Sequence, residues 1–406
     1  MSSWVPVPEG SGFPLENLPY GVFDAGIGRR IGVAIGEHVV DLYALADAGL
    51  VPHGEALQDV DLNGFLGLGR DVWHEVRVRL IDLLTEGNTA IRDAGIEALY
   101  PQSAVTMHLP FVPGDYVDFY SSMEHAVNLG KLFRPDSEPL LPNWRHLPIG
   151  YHGRSSTVVV SGTPVRRPRG QVRPGDGPPE EGPTQALDIE LEVGFVTGPG
   201  NELGVPIDVD DAGDHIFGLV LVNDWSARDI QRWEYQPLGP FLGKSFVTTV
   251  SPWVVPLEAL TGYLIPGPTQ DPEPLSYLRA EGDWGVDLQL EAALASPAMD
   301  EPDVIARTSY GGMYWTMAQQ LAHITSNGTA IRPGDLYASG TISGAEPGSY
   351  GSLIEITWGG RDPITLSDGS QRRYLEDGDT VVLRGWCHRP GLPRIGFGEC
   401  LGTIVP

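Results

Sequence analysis

Cysteine is almost absent from this chain, since only Cys387 and Cys400 occur among its 406 residues. Two thiols cannot supply the disulfide framework of a small secreted protein, and they are too few for a structural zinc site. Long hydrophobic runs are absent as well, because no apolar stretch approaches the ~20 residues that cross a membrane. Residues 1–10 lack the cationic and apolar pattern of a signal peptide. The sequence therefore predicts a cytoplasmic protein with no membrane partner.

Basic residues are scarce relative to acidic ones. The chain has 26 Lys and Arg against 53 Asp and Glu, which gives a formal net charge of −27. Such a surface repels the phosphates of nucleic acids and of anionic lipids, so we expect no nucleic-acid partner. An anionic small molecule can still bind, provided that its pocket is locally basic against the field of the whole chain.

Turn-forming residues, in contrast, are abundant. The 52 Gly and 36 Pro are spread among short apolar runs, a pattern typical of many short strands and few long helices. At ~100–200 residues per domain, the chain has room for two or three core units. We place a boundary at Pro113-Gly114, which gives an N-terminal domain over 1–114 and a C-terminal domain over 115–406. The predicted fold class is mainly β with some helix (α+β).

Local patterns predict the individual elements. Residues 30–42 are typical of a β-hairpin whose turn, Gly36-Glu37, has glycine first. Apolar spacings of three and four predict a helix over 70–85, and a second helix is predicted over 312–326. The Pro-, Gly- and Arg-rich stretch 162–184 predicts a surface loop. Further strands are predicted at 156–161, 187–196, 216–223, 281–295, 352–358 and 379–384.

An alternating acidic segment is the clearest candidate for chemistry. In 187–195 the apolar side chains fall on one face of a predicted strand, and Asp188, Glu190 and Glu192 fall on the other. Carboxylates so close together repel one another unless water or a cation lies between them. Taken alone, the segment favours a solvated outer face of a sheet over a metal site.

Two further acids shift the interpretation towards a metal site. The apolar run 216–222 predicts a fully buried strand, and Asp224 lies just beyond it, where a rigid scaffold would hold a ligand still. Asp224 is also a candidate N-cap for a short helix over 225–232. Asp118 supplies a fourth carboxylate from an aromatic-rich segment. Four carboxylates without Cys or paired His suit a hard cation such as Mg²⁺ or Ca²⁺ better than zinc or copper.

A histidine follows Asp118 closely along the chain. Ser121 and Glu124 match a capping box, so we expect a helix to begin there with His125 in its first turn. The positive end of a helix disfavours imidazolium, which would keep His125 neutral and able to accept a proton. A lone histidine is more often structural than catalytic, so both interpretations stay open on this pattern alone.

A glycine-rich turn carries the last candidate. The stretch 239–245 has the look of a phosphate-binding loop, but three residues separate its glycines where that motif needs four. No apolar strand precedes the turn either, so a nucleotide role is disfavoured. Lys244 in this turn is expected instead to meet a substrate anion or an oxygen at the metal.

Longer motifs extend over almost the whole chain. They are NLPYGVF at 17–23, DFYSS at 118–122, LPNW at 141–144, PIGYHGR at 148–154, DIELE at 188–192, NDWSARDIQ at 223–231, LGPFLGKS at 238–245 and ASGTISG at 338–344. Together these motifs resemble the fumarylacetoacetase (fumarylacetoacetate hydrolase) family. The carboxylate motifs alone would indicate a wider superfamily of hydrolases, decarboxylases and isomerases, whereas the N-terminal motif and the Tyr/His/Arg segment indicate the fumarylacetoacetase family itself.

The resemblance implies a fold and an activity. It implies a small SH3-like N-terminal barrel, a C-terminal mixed β-roll catalytic domain of the fumarylacetoacetate hydrolase type, and a homodimer. The implied reaction is hydrolysis of the C–C bond of 4-fumarylacetoacetate to fumarate and acetoacetate, the last step of tyrosine and phenylalanine catabolism, assisted by Mg²⁺ or Ca²⁺. The alternatives are a hydrolase of a related 2,4-diketo acid such as an acylpyruvate, a non-catalytic acidic binding protein, and a purely structural Ca²⁺ site.

The resemblance also implies roles for particular residues. Four residues resemble the metal ligands of the family: Asp118, Glu190, Glu192 and Asp224. Lys244 and Thr248 resemble residues that lie close to the metal. His125 resembles the base that activates water, Glu355 the carboxylate that orients it, and Arg228, Gln231 and Lys244 the donors that stabilise an oxyanion. The implied substrate contacts are Tyr120, Arg134, Tyr151, Gln231, Tyr235 and Thr341.

One position departs from the family pattern. Val247 stands where the family motif has glycine, between Phe246 and Thr248. If that position requires a positive φ, valine is strained there; if only its backbone matters, the change is harmless.

Overall fold

The computed structural model describes residues 2–175 and 177–406. The chain is mostly β-sheet, with one small sheet in its N-terminal part and two larger curled sheets in its C-terminal part. Within the described ranges, no helix is both long enough and apolar enough to span a bilayer.

A small curled antiparallel sheet forms the N-terminal part, and short helices cover it. The elements are β1 (Tyr20–Asp24), β2 (Arg30–Ile35), β3 (His38–Asp41), α1 (Leu42–Asp47), α2 (Gly54–Leu57), α3 (Asn63–Leu66), α4 (Arg70–Leu84), α5 (Ala90–Asp93), β4 (Leu99–Pro101) and β5 (Thr106–His108). The strand order is β4-β3-β2-β1-β5. The hairpin of β2 and β3 and the helix α4 confirm two predictions, and Gly36 has the positive φ, +54°, that a glycine-first turn requires.

The C-terminal part holds the remaining elements. In chain order the strands are β6 (Tyr116–Phe119), β7 (Gly150–His152), β8 (Val158–Val160), β9 (Val165–Arg166), β10 (Arg169–Val172), β11 (Glu180–Pro183), β12 (Leu187–Asp188), β13 (Leu191–Thr197), β14 (Ile216–Asp224), β15 (Ser226–Ala227), β16 (Thr248–Val250), β17 (Val255–Pro256), β18 (Leu264–Ile265), β19 (Gly285–Val286), β20 (Leu288–Ala295), β21 (Asp303–Ser309), β22 (Leu336–Ala338), β23 (Ile364–Thr365), β24 (Gln371–Arg372), β25 (Thr380–Cys387) and β26 (Ile395–Val405). The helices are α6 (Met123–Phe133), α7 (Ala212–His215), α8 (Arg228–Glu234), α9 (Met317–Thr325) and α10 (Leu353–Ile356).

Two large sheets organise these strands. The first has eight strands in the order β7-β6-β22-β13-β14-β16-β8, with β17 added beside β14. Its pairs are mixed, because β6 runs parallel to β22 and β8 runs parallel to β16, whereas the other pairs are antiparallel. The second has five strands in the order β21-β20-β25-β26-β9.

The buried strand β14 separates two apolar cores. Leu219 and Leu221 belong to the core that the eight-stranded sheet shares with the five-stranded sheet. Val220 and Val222 belong to the core that the same sheet shares with the N-terminal part. Every residue of β14 is buried because both faces are covered, which confirms the prediction of a fully buried strand.

Phe217 links the N-terminal part to the eight-stranded sheet. The centroid of its ring lies 5.0 Å from the nearest ring centroid of Trp73 and 5.4 Å from that of Tyr20, both in edge contacts. Phe65 adds a third edge contact at 5.9 Å. These rings, all from N-terminal elements, anchor the first 110 residues to the back of the sheet that carries the acidic residues.

The acidic segment 187–196 is not the single strand that was predicted. β12 pairs with β15 and β13 pairs with β14, so the chain bends between them at Ile189-Glu190. The side chain of Asn223 accepts a hydrogen bond from the amide of Glu190 at 3.1 Å, which satisfies a group left out of the ladder. The segment is buried throughout, so the interpretation of a solvated outer face is wrong.

The predicted strand at 352–358 is also wrong, because a short helix, α10, occupies it. Asp188 accepts hydrogen bonds from the backbone amides of Leu353 and Ile354 at 2.7 and 3.0 Å. These are among the first amides of a helix, which have no partner within the helix. Leu353, Ile354 and Glu355 are buried because the helix packs against the core, and not because the segment pairs as a strand.

The stretch 162–184 was predicted as a loop, and this prediction is wrong for two of its segments. β10 and β11 form an antiparallel hairpin, and β9 pairs with the chain's last strand, β26. Arg169 and Glu181 are diagonal neighbours across the hairpin, since Arg169 lies opposite Pro183 and Glu181 opposite Gln171. They form a two-point ion pair with N–O distances of 3.0 and 3.1 Å. A cross-strand charge pair of this kind stabilises a hairpin in spite of its Gly and Pro content.

Three predicted helix starts are displaced. Ser122, and not Ser121, caps α6, because the Ser122 hydroxyl accepts the bond from the amide of His125. α9 begins at Met317 and not at 312, because Thr316 and Gln319 form a capping box there. Asp224 ends β14 and caps no helix, and α8 begins only at Arg228. The strands predicted at 156–161, 216–223 and 379–384 are confirmed with altered bounds. The single strand predicted at 281–295 is instead two strands, β19 and β20, which belong to different sheets.

We expect Phe217→Ala to lower the free energy of unfolding by about 3–5 kcal/mol, because it removes a fully packed ring and leaves a cavity between the two parts. Urea denaturation followed by tryptophan fluorescence measures this. Leu203→Ala is the control, since Leu203 is 84% exposed and its truncation should cost less than about 0.5 kcal/mol. Equal effects of the two substitutions would contradict the role given to Phe217.

Candidate metal and catalytic centre

Four buried carboxylates converge at one end of the eight-stranded sheet. They are Asp118 on β6, Glu190 just before β13, Glu192 on β13, and Asp224 at the end of β14. One oxygen from each lies within 4.8 Å of the others. We call these four residues the carboxylate cluster. The structure thus brings together all four acids predicted as metal ligands.

Lys244 lies within the carboxylate cluster. Its ammonium group donates to Glu190 and, at 2.8 Å, to Asp224. Thr248 donates its hydroxyl to the other oxygen of Asp224 at 2.7 Å. Burial acts to lower the pKa of Lys244, but the carboxylates of Asp224 and Glu190 outweigh it and raise the pKa. Lys244 therefore stays charged, and both residues occupy the positions predicted for them.

The other half of the cluster lacks such a counter-charge. Among the described residues, Oδ1 of Asp118 and Oε1 of Glu192 have no hydrogen-bond partner although both are buried. Burial, followed by the negative charge of neighbouring carboxylates, raises the pKa of both groups well above the usual range. Two buried carboxylates of one cluster, each with an oxygen that receives no hydrogen bond from the described residues, are an arrangement that a bound cation would satisfy.

The chemistry of the donors fits a hard divalent cation. The cluster offers only carboxylate oxygens, with a hydroxyl and an ammonium beside it. Mg²⁺ and Ca²⁺ prefer oxygen ligands, whereas zinc and copper prefer nitrogen or sulfur. Both cysteines are free and buried in the C-terminal core. The residues present therefore suit the metal that the sequence suggested.

His125 and Glu355 form a buried pair beside the cluster. Nδ1 of His125 lies 2.7 Å from Oε2 of Glu355. Burial acts to raise the pKa of Glu355, but His125 and the hydrogen bonds that Glu355 receives outweigh it and lower the pKa. An ionised carboxylate only accepts, so Nδ1 donates to Glu355, and in the neutral ring Nε2 is the nitrogen that can accept a proton.

Three further side chains hold Glu355 in place. Asn128, one turn after His125 on α6, donates to Oε1 at 2.9 Å. Ser343 and Ser352 donate to Oε2 at 2.9 and 2.6 Å. The carboxylate is thus fixed from both sides, and the ring of His125 is fixed with it.

Arg228 faces the cluster from the first position of α8. Its Nη1 lies 2.8 Å from Glu190 and 3.3 Å from the side-chain oxygen of Gln231. Burial acts to lower the pKa of Arg228, but Asp188 and Glu190 raise it. Among the described residues, Nη2 of Arg228 has no hydrogen-bond partner. Of the predicted oxyanion donors, Arg228 and Lys244 therefore meet at Glu190, and Gln231 lies against Arg228.

The predicted substrate contacts lie at different depths. Tyr151 donates to Asp224 at 3.0 Å, and the ring centroid of Tyr120 lies 5.4 Å from that of His125. Thr341 is buried, and its hydroxyl has no partner in the part of the chain that the structure describes. Arg134 instead donates to the carbonyl of Pro139, and Tyr235, 39% exposed, accepts from Gln236.

Sequence reasoning gave no role to several residues of this centre. Tyr116 is buried with its hydroxyl unpartnered among the described residues, and Asp224 and Asp118 act on it electrostatically. Asp188 contacts Arg228 at 2.7 Å. The alternating pattern of 187–195 includes Asp188, but no local sequence feature distinguished it from Glu190 and Glu192. The others are Asn128, Ser343 and Ser352, which no local pattern indicates.

The backbone at Val247 is not strained. Its φ lies outside the left-handed region, and its side chain packs into the C-terminal core. Glycine is therefore not required at this position, and the departure from the family pattern does not disturb Lys244 or Thr248.

Comparison with solved structures identifies the fold first. A fumarylacetoacetate hydrolase from Exiguobacterium antarcticum matches with a TM-score of 0.56 and 17% identity, over 96% of this chain and 99% of that one. A maleylpyruvate hydrolase from Sphingobium matches with a TM-score of 0.52 and 15% identity, over 96% of this chain and 99% of that one. At these identities the likeness establishes the fold alone, which is that of the fumarylacetoacetate hydrolases.

Sequence comparison is more specific. The family description "Fumarylacetoacetase N-terminal" matches residues 16–110, and "Fumarylacetoacetate (FAA) hydrolase C-terminal" matches residues 116–405. Human fumarylacetoacetase is 51% identical over 414 residues, covering 100% of this chain and 99% of the human protein. The Arabidopsis thaliana fumarylacetoacetase is 49% identical over 418 residues, with the same coverage. The chain belongs to the fumarylacetoacetase family, and it is a hydrolase.

We expect Asp118→Asn to lose Mg²⁺ binding and to make the metal-free protein more stable, because it removes a buried charge that only a cation offsets. In the parent, Mg²⁺ at 100 times its Kd should stabilise the fold by about 2.7 kcal/mol. Thermal unfolding with and without Mg²⁺ measures both effects. Asp335→Asn, a buried aspartate that accepts from the amides of Asp115 and Arg332, should keep the Mg²⁺ response. A full response in Asp118→Asn would remove Asp118 from the metal site.

Proposed function

We propose that this chain hydrolyses 4-fumarylacetoacetate to fumarate and acetoacetate at the carboxylate cluster, with His125 as the base. The observation that carries the proposal is the convergence of Lys244 and Arg228 on Glu190, with the buried pair of His125 and Glu355 beside them. Burial alone would raise the pKa of Glu190, yet the positive charges of Lys244 and Arg228 lower it. A metal-type carboxylate cluster, two fixed cations and a histidine base therefore share one small volume. The names of the relatives, which match over the whole chain, support this substrate over an acylpyruvate.

Asp118, Glu190, Glu192 and Asp224 would hold the divalent cation. When bound, such an ion supplies Lewis-acid polarisation of the two oxygens of a β-diketone. Lys244 and Thr248 act on the same carboxylates, since they donate to Glu190 and Asp224 and keep their oxygens directed into the site.

His125 would take the proton from the attacking water. Glu355 holds the ring through Nδ1, which leaves Nε2 as the atom that accepts the proton. The resulting hydroxide adds to the carbonyl carbon next to the fumaryl double bond. Collapse of the tetrahedral oxyanion breaks the bond to the neighbouring methylene carbon, and this carbon then takes up a proton to give acetoacetate.

Arg228, Gln231 and Lys244 would stabilise the tetrahedral oxyanion. The unpartnered Nη2 of Arg228, judged within the described residues, is the donor best placed for this task. One such donor in a buried site is typically worth about 2.7–4 kcal/mol of transition-state stabilisation. The same cations make the site attractive to a dianion in spite of the chain's overall charge of −27.

The remaining contacts concern the ends of the substrate. Tyr120 lines the site beside His125, and Tyr151 lines it beside Asp224. The hydroxyl of Thr341 has no hydrogen-bond partner among the described residues, and we assign it as a donor to a substrate oxygen. Arg134 and Tyr235 lie further out, and we assign them to a terminal carboxylate on the strength of the family motif.

Several finer assignments belong to the same proposal. The resident ion is Mg²⁺ or Ca²⁺, the protein is a cytoplasmic homodimer, and the reaction is the last step of tyrosine and phenylalanine catabolism. The chain divides into domains over 1–114 and 115–406, which the ranges of the two family descriptions, 16–110 and 116–405, support. Light scattering after size exclusion tests the homodimer.

The first experiment follows the absorbance of fumarylacetoacetate with the purified protein. We expect rapid loss of the chromophore that stops on chelation and returns with Mg²⁺, because the cation offsets the cluster and polarises the diketone. An acylpyruvate serves as the competing substrate. No loss with metal fully bound, or a higher kcat/KM for the acylpyruvate, would favour the related diketo acid hydrolase.

His125→Ala tests the base. Removal of a general base typically costs about 10²–10⁴-fold in kcat, whereas Mg²⁺ binding measured by calorimetry should persist because His125 is not one of the four carboxylates. His74→Ala is the matched control, since His74 is exposed and lies against Glu258, away from the cluster. A rate like that of the parent in His125→Ala would exclude His125 from the reaction.

A further inference from the structure

We propose that Asp188 is a positioning residue that fixes Arg228 and the helix bearing Glu355 in one relative arrangement. Asp188 lies outside the carboxylate cluster, although sequence alternation had placed it on the same face as Glu190 and Glu192. The inference rests on the proposed function, because it gives Asp188 a part in joining the oxyanion donor to the general base.

The carboxylate of Asp188 is fully buried and saturated with donors. Its Oδ2 accepts from Nε of Arg228 at 2.7 Å and from the amide of Ile354 at 3.0 Å. Its Oδ1 accepts from the amide of Leu353 at 2.7 Å and from that of Ile189 at 2.7 Å. The side chain is 0% exposed, so no water replaces any of these partners at the surface. One carboxylate therefore joins a guanidinium to the start of a helix.

The helix side depends on this residue because α10 has no cap of its own. Ser352 occupies the N-cap position, but its hydroxyl makes no capping bond and instead donates to Glu355 at 2.6 Å. Asp188 supplies the missing acceptor from 165 residues away in the chain. Because Glu355 is the third residue of α10, the position of its carboxylate follows the position of these first amides.

The guanidinium side depends on Asp188 for its orientation. Asp188 holds Nε of Arg228, and Glu190 holds Nη1 at 2.8 Å. Two carboxylates on neighbouring nitrogens fix the plane of a guanidinium, which is a rigid fork of donors. The nitrogen left over is Nη2, which has no partner among the described residues and is free to meet an oxyanion.

The consequence is that one side chain links the oxyanion donor to the helix whose Glu355 orients the base. A misplacement of about 1 Å in such a site can cost about 10²-fold in rate. We therefore expect Asp188→Asn to lower kcat by about 10²-fold. Donors approach both oxygens of Asp188, so either orientation of the amide would set its NH₂ group against an N–H donor. Metal stoichiometry should not change.

The matched control is Asp379→Asn. Asp379 is also 0% exposed, pairs with Nε and Nη2 of Arg372 at 2.8 and 2.9 Å, and accepts from the amide of Glu376 at 2.8 Å. It thus repeats the chemistry of Asp188 without a link to Arg228 or Glu355. A purely structural effect would lower the melting temperature of both variants alike, whereas a positioning effect lowers kcat only in Asp188→Asn.

A double-mutant cycle tests whether Asp188 affects kcat through Arg228. If Asp188 acts through Arg228, then Asp188→Asn should reduce kcat much less in an Arg228→Lys background than in the parent, because the two changes disturb one arrangement. Additive effects would overturn the inference. Asp188→Glu, which keeps the charge, serves if Asp188→Asn does not fold, and it should show the same lack of additivity with a smaller loss.

Hydrogen exchange keeps the test independent of substrate. Amides in 353–356 should exchange faster in Asp188→Asn than in the parent or in Asp379→Asn, because the cap is lost. An unchanged exchange rate there would overturn the inference whatever the activity. If the parent does not hydrolyse fumarylacetoacetate, the proposed function fails; if the parent is active and Asp188→Asn retains its kcat, only the positioning inference fails.

Discussion

Repulsion among four buried carboxylates is the constraint on which the rest of this structure depends. One oxygen from each lies within 4.8 Å of the others, and all four side chains are buried. Burying an unpaired charge costs on the order of several kcal/mol even after the protein relaxes. Each carboxylate therefore needs a positive or hydrogen-bond-donating neighbour. Lys244 and Arg228 meet this need at Glu190, and Lys244 also at Asp224. Asp118 and Glu192 have no such cation, and the proposed divalent metal would offset them.

A cluster of this kind requires a stiff scaffold, because the fold must resist the repulsion. The central strand β14 is covered on both faces, by the five-stranded sheet on one side and by the N-terminal part on the other. Phe217 and its aromatic neighbours Tyr20, Phe65 and Trp73 join that second interface. The N-terminal part thus contributes to the site without supplying any of its side chains, by holding the sheet from behind.

Local patterns in the sequence singled out the four acids and His125 as candidates, and the family resemblance assigned their roles. Asp224 follows an apolar run, Glu190 and Glu192 alternate with apolar residues, and a serine cap precedes His125. Glu355 came only from the family resemblance, because it lies 230 residues from its partner His125. Alternation placed Asp188 on the same strand face as Glu190 and Glu192, since it assumes a straight strand, whereas the chain bends at Ile189-Glu190.

The sequence by itself determined the chain's inventory: mostly short strands, an acidic surface, oxygen ligands for a hard cation, and the family. Only the tertiary structure decided which acid meets which donor. It separated Asp188 from the cluster, turned the predicted strand at 352–358 into a helix, and gave Glu355 its three donors besides His125. The physical reason is range: hydrophobic periodicity reports residues two to four positions apart, whereas the environment of a buried carboxylate is set by groups brought from distant parts of the chain.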